Sequence, residues 1–200
     1  MPSKCVPVFA LAVLLLAVSF GQVAAQSHGM FEGHISLPLA REAMEIVATD
    51  LDGDTVIDLA AVIGDTLVAV TFGNGYGSFE EPQYYGLGAT GESITSGDFN
   101  EDGDMDLVVG DYEGDLTILL GNGYGGFSPY HASVVDGKAH SMDHGDLNGD
   151  GHEDVVVAGR NSWNNEGFVN VRLGTGGGTF ISYGAYFLPS SCNVVRLADL

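Results

Sequence analysis

A ten-residue acidic segment recurs along this chain at a fixed step. "DLDGDTVIDL" begins at Asp50, "DFNEDGDMDL" at Asp98 and "DLNGDGHEDV" at Asp146, each start 48 residues after the one before. A second signature keeps the same step: "GNGYGSF" from Gly73, "GNGYGGF" from Gly121, and "GTGGGTF" from Gly174, five residues later than a strict period requires. Phe31-Glu32 also stands 48 residues before Phe79-Glu80, so the repeat runs through 31–200. Such a period constrains the fold strongly, because each unit must be one supersecondary structure that stacks on its neighbours.

Inside each unit, short apolar runs rich in β-branched residues are bounded by Gly, Asn and Asp, and helix signals are almost absent. In the second unit the pattern predicts strands at about Ser93 to Gly97, Met105 to Gly110, Leu116 to Leu120 and Phe127 to Ser133. Four antiparallel strands in 48 residues make one blade of an all-β propeller, here about three blades plus flanking strands. "GNGYGGF" is then the hairpin between the third and fourth strands, where glycine supplies positive φ. A phosphate-binding loop would need a helix after it, and none is predicted.

The acidic segments crowd like charges, and their spacing suggests why. Asp98, Asn100, Asp102 and Asp106 occupy positions 1, 3, 5 and 9 of a loop with Gly103 at position 6; the third copy offers Asp146, Asn148, Asp150 and Asp154 with Gly151. The first offers Asp50, Asp52, Asp54 and Asp58, with Thr55 where the turn usually wants glycine. Alternate residues of a tight loop can turn their oxygens inward, and Ca²⁺ wants six to eight hard oxygen ligands. Position 7, held by Val56, Asp104 and His152, varies as a donor of backbone carbonyl alone would. An EF-hand needs Glu at position 12 and flanking helices; Ala61, Val109 and Val157 stand there. Two readings stay open, calcium loops or hairpin turns whose charges are solvated.

As a set, the D-x-[DN]-x-D-G-x-x-D loops at Asp98 and Asp146, the looser version at Asp50, and the Gly-rich turns ending in Phe79, Phe127 and Phe180 resemble the FG-GAP repeat family, including its VCBS variety. The resemblance covers about Phe31 to Leu200. It implies a β-propeller, usually seven-bladed, with calcium between the first and second strands of a blade. It further implies adhesion, cell-surface recognition or ligand binding, and rarely catalysis.

Two departures from the family pattern stand out. Asp199 opens a further loop with no ligands after it, so the expectation is part of a ring, which the segment Phe31 to Leu39 would latch as an outer strand. Asp154 to Gly174 spans 20 residues where the other two units span 15, which places an insertion in "GRNSWNNEGF". That insertion lengthens the turn between the second and third strands, opposite the acidic loops. It carries Trp163, the only tryptophan, either as a partner-binding ring or as packing on its own blade. The resemblance lends a ligand-binding role to that face.

Before the repeats, Lys4, an apolar run from Val6 to Phe20 and the small residues Val23-Ala24-Ala25 read as a signal peptide over 1–25, leaving a chain from Gln26. Its removal takes Cys5 and leaves Cys192 alone. No later run is long enough to span a membrane. Six Lys plus Arg against 27 Asp plus Glu give a net charge of -21, which repels nucleic acid and anionic lipid. His140 and His144, four apart and flanking a predicted strand, lie too far apart to share one zinc ion. No nucleophile elbow occurs. The reading is a secreted, calcium-binding, noncatalytic propeller that recognises an extracellular protein or glycan. The alternatives are a noncatalytic or carbohydrate-binding portion of a larger secreted enzyme, and a propeller enzyme with acidic groups near its axis.

Overall fold

The structure, a computed structural model, describes residues 39, 42–64, 66–162, 164 and 166–198. The chain divides into units Met1–Leu37 and Pro38–Leu200, and every described residue belongs to the second. The expected signal peptide, the segment Phe31 to Pro38, Trp163 and Asp199 lie outside the described residues.

Among the described residues, twelve strands form three four-stranded antiparallel sheets, and in each the spatial order follows the chain. The first sheet holds β1 (Ala43–Thr49), β2 (Asp58–Ile63), β3 (Leu67–Thr71) and β4 (Gln83–Gly86). The second holds β5 (Gly91–Gly97), β6 (Asp106–Asp111), β7 (Asp115–Gly121) and β8 (Phe127–Val134), within two residues of the strands predicted from sequence. The third holds β9 (Lys138–Gly145), β10 (Asp154–Arg160), β11 (Gly167–Gly174) and β12 (Phe180–Leu188). These are propeller-type blades, and among the described residues there is no helix, hence none long and apolar enough to cross a membrane.

The second strand of a blade is buried almost throughout and apolar through its middle, because both of its faces are covered. Ala60 and Val62 of β2 join Leu107 and Val109 of β6 in a core between the first and second blades. Val108 of β6 points the other way, into a core with Val155 and Val157 of β10. The phenylalanines closing the second and third Gly-rich turns seal the seam with the preceding blade: Phe127 meets Tyr85 edge to face at 5.4 Å, and Phe180 meets Phe99 at 5.7 Å.

Even the irregularities repeat. The first strand of each blade carries a bulge, which leaves Met44, Glu92 and His140 unpaired, again 48 residues apart. The side chain just after each bulge then reaches the next first strand or, from the third blade, the segment after β12. Glu45 Oε2 accepts the Ile94 N–H at 2.9 Å, Ser93 Oγ donates to the Ala139 carbonyl at 2.8 Å, and Ser141 Oγ accepts the Val195 N–H at 3.4 Å. Inner strands expose backbone groups that no sheet partner satisfies, and these side chains satisfy some of them. Beyond β12 the chain returns along β9, where the Leu197 N–H donates to Asp143 Oδ2 at 2.7 Å.

The insertion falls where the spacing put it, but it is shared out. Three residues, 112–114, join β6 to β7, whereas six, 161–166, join β10 to β11, and each of the strands β10 and β11 is one residue longer than its counterpart. Cys192 is a free, partly exposed thiol.

Candidate metal centre

The three acidic loops join the first strand of a blade to the second, and Thr49↔Asp58, Gly97↔Asp106 and Gly145↔Asp154 are the matching end pairs of the ladders. One hydrogen-bond scheme shapes all three. The position 1 aspartate folds the loop over itself: Asp50 Oδ2 accepts the Thr55 N–H at 2.8 Å, Asp98 Oδ2 the Gly103 N–H at 3.0 Å, and Asp146 Oδ2 the Gly151 N–H at 2.9 Å. At position 3, Asp52, Asn100 and Asn148 each accept the N–H two residues on with Oδ1, at 3.2, 3.0 and 2.8 Å. Asp54, Asp102 and Asp150 at position 5 do the same toward Val56, Asp104 and His152, at 2.7, 2.9 and 2.9 Å. Such side-chain turns are the local bonds that Asp and Asn favour over regular structure.

Two backbone positions in each loop are left-handed. At position 6, φ is 71° for Thr55 and 92° for both Gly103 and Gly151. At position 4, it is 80° for Gly53, 60° for Glu101 and 79° for Gly149. Thr55 therefore does not exempt the first loop from the shared geometry. It adopts the same turn at a steric cost of about 1–2 kcal/mol.

Position 9 differs from the rest. Asp58, Asp106 and Asp154 have no exposed surface, and each carboxylate spans two backbone groups. Oδ2 accepts the N–H of the loop's second residue, from Leu51 at 2.8 Å, Phe99 at 3.1 Å and Leu147 at 2.9 Å. Oδ1 accepts an N–H at or just past the end of the third strand, from Gly73, Gly121 and Gly174, each at 2.8 Å. The residue predicted as a ligand is therefore also a buried clamp between loop and blade. Burial raises the Asp58 carboxyl and pushes Asp106 up to about 6, against the pull of those N–H groups. The exposed Asp146 is held below the usual carboxylate range, chiefly by the Gly151 N–H, and Asp150 chiefly by the His152 N–H.

In the first loop, carboxylate oxygens of Asp50, Asp52 and Asp58 lie within 4.8 Å of one another, about twice a calcium–oxygen distance. Asn100 and Asn148 replace Asp52 in the later loops, where each amide Nδ2 donates to position 5, to Asp102 at 2.8 Å and Asp150 at 2.9 Å. The side-chain donor set is oxygen alone, carboxylate and amide, which suits a hard cation such as Ca²⁺ and not a soft one. The cluster in the first loop could hold a metal.

Position 7 does more than its variability suggested. His152 pairs with Glu101, position 4 of the preceding blade's loop, and that hydrogen bond raises the His152 imidazole. Asp104 instead lies against Gly123 of its own blade. His140 approaches Glu92 at 3.9 Å, while His144 meets Glu153 at 2.8 Å, so the two histidines serve separate carboxylates.

Sequential four-stranded meanders, stacked through shared cores and joined by one recurring acidic loop, define a propeller-type repeat protein. The profile of the FG-GAP-like repeat matches residues 50–109 and again residues 98–157, more than half of the chain. The chain belongs to the FG-GAP-like repeat family. No curated protein matches it.

Proposed function

We propose that the chain is an exported, calcium-stabilised propeller module that recognises an extracellular protein or glycan, and that it is a binding module rather than an enzyme. The observation that carries this reading is the common scheme of the three loops. Side chains at positions 1, 3 and 5 each turn one oxygen to the loop backbone, and the Asp50, Asp52 and Asp58 oxygens gather in one cluster. A bound Ca²⁺ would turn their repulsion into attraction and rigidify the loop that Asp58, Asp106 and Asp154 clamp to the blade.

One recognition surface of this module lies at the opposite ends of the strands. There a cleft of about 640 Å³ opens between Tyr112 and Glu113 of the second blade and Asn161 and Ser162 of the inserted turn, with Asp136 and Gly137 between them. Lys138 Nζ sits 3.1 Å from the centre of the Tyr112 ring. The insertion that sequence singled out thus borders the cleft. Calorimetric titration of the full chain with Ca²⁺ tests the metal reading: saturable binding at two or more sites supports it, and an absence of heat at millimolar Ca²⁺ refutes it.

A further inference from the structure

Tyr76 and Tyr124 stand at equivalent places in the first two blades, at the apex of the turn between third and fourth strands. They are 95% and 91% exposed, more than any other large apolar side chain among the described residues. The backbone beneath them is held by side-chain hydrogen bonds. Asn74 Oδ1 accepts the N–H groups of Tyr76 and Ser78 at 3.0 and 3.2 Å, and Asn122 Oδ1 those of Tyr124 and Gly126 at 3.0 and 2.9 Å. Left-handed glycines flank both rings, Gly75 and Gly77 in one turn and Gly123 and Gly125 in the other.

The fold does not need these rings. The third blade makes the same turn with Gly177 at the apex, between left-handed Gly176 and Gly178. Two tyrosines held in water at the blade period, where glycine suffices, are surplus to folding. Their turns close the same strand ends as the acidic loops, to which Asp58 and Asp106 tie them through Gly73 and Gly121. The second turn also leans on the first blade, since the Tyr85 hydroxyl donates to the Gly125 carbonyl at 3.0 Å, so Tyr124 stands over a seam between blades.

We propose that Tyr76 and Tyr124 are the aromatic platforms of a binding surface for an uncharged, extended oligosaccharide. The loops and turns at this end, residues 50–57, 73–79, 98–105, 121–127, 146–153 and 174–180, contain no Lys or Arg. An anionic glycan or phosphate polymer is therefore repelled. A folded protein partner buries about 800 Å² per side around a well-packed, desolvated centre, whereas here single rings stand apart among carboxylates, amides and glycines. A pyranose fits that pattern, its C–H face on the ring and its hydroxyls donating to neighbouring oxygens. A linear chain of sugars touches rings on successive blades and gains avidity from each. This surface is distinct from the cleft at the other end of the blades, and it stands without the calcium reading because the turns' own hydrogen bonds hold the rings.

The test titrates the full chain with cellohexaose, chitohexaose and mannohexaose, followed by calorimetry and tyrosine fluorescence. Saturable binding of at least one hexasaccharide is expected, weakened at least tenfold by Tyr76→Ala or Tyr124→Ala with the melting temperature unchanged, and largely retained by Tyr124→Phe. Gly177→Tyr provides a gain of function, since a Cβ there meets only Thr175 Oγ1 at 3.9 Å; it should tighten binding of oligomers longer than the hexamer. Failure of all three saccharides to bind overturns the proposal. So does binding that survives the double alanine variant.

Discussion

Asp106 Oδ1 accepts the backbone N–H of Gly121 at 2.8 Å while its Oδ2 accepts that of Phe99, so one buried carboxylate ties an acidic loop to the far end of β7. Asp58 with Gly73 and Asp154 with Gly174 repeat the bond. These clamps need no metal. Asp106→Ala should therefore destabilise the chain in chelator as well as in calcium. Two buried N–H groups lose their acceptor, and relief of a buried charge offsets part of the loss, leaving about 2 kcal/mol. Urea unfolding midpoints in chelator measure it; an unchanged midpoint contradicts the clamp.

Thr55 pays for its left-handed backbone, at φ 71°, with crowding at its β-branched side chain. Thr55→Gly should stabilise the first blade by about 0.5–1 kcal/mol, after glycine's greater unfolded entropy is subtracted. The reverse change, Gly103→Thr at φ 92°, should cost about 1–2 kcal/mol. Opposite signs for the two variants in thermal unfolding are the expected result.

Asp111 closes the short turn between β6 and β7, where its Oδ1 accepts the N–H groups of Gly114 and Asp115, both at 2.7 Å. Burial raises its carboxyl, with Asp115 and Glu113 adding to the shift. A group raised in the fold contributes most when protonated. Its contribution is complete below the unfolded value of about 3.9 and is lost as pH rises through the folded value. An amide keeps the Oδ1 acceptor without the charge, so Asp111→Asn should be at least as stable as the parent at pH 7. That advantage should shrink as pH falls toward 4, as read from unfolding midpoints at several pH values.

Phe168 and Phe180 fill the seam between the second and third blades. Phe168→Ala should cost about 3–5 kcal/mol, because a fully buried ring is removed from the core of that seam. Differential scanning calorimetry should show the loss with and without calcium.

Much of this was legible in the sequence because the period was. The 48-residue step placed the strands of the second blade, the three loops with their position 6 turns, and the insertion between β10 and β11. Contacts made by stacking blades were hidden. Glu101 and His152 are 51 residues apart and meet only across a seam. Nor does the spacing place Arg172. It is buried between blades, bonding Ser182 and the Val134 carbonyl and, at 3.1 Å, Asn170. Spacing also could not separate the two kinds of loop aspartate, since Asp102 and Asp106 read alike; burial assigns one to the exposed loop and the other to the blade.

Asp102→Ala tests that division of roles most directly. Asp102 is a position 5 side chain at the loop surface, whose Oδ1 meets only the Asp104 N–H and whose Oδ2 meets the Asn100 amide. The measurement is the melting temperature of the parent and this variant, each in millimolar calcium and in chelator. The account predicts that calcium raises the parent by several degrees, that the variant loses most of that rise, and that the two nearly coincide in chelator. Equal losses in both conditions, or a parent indifferent to calcium, would contradict it.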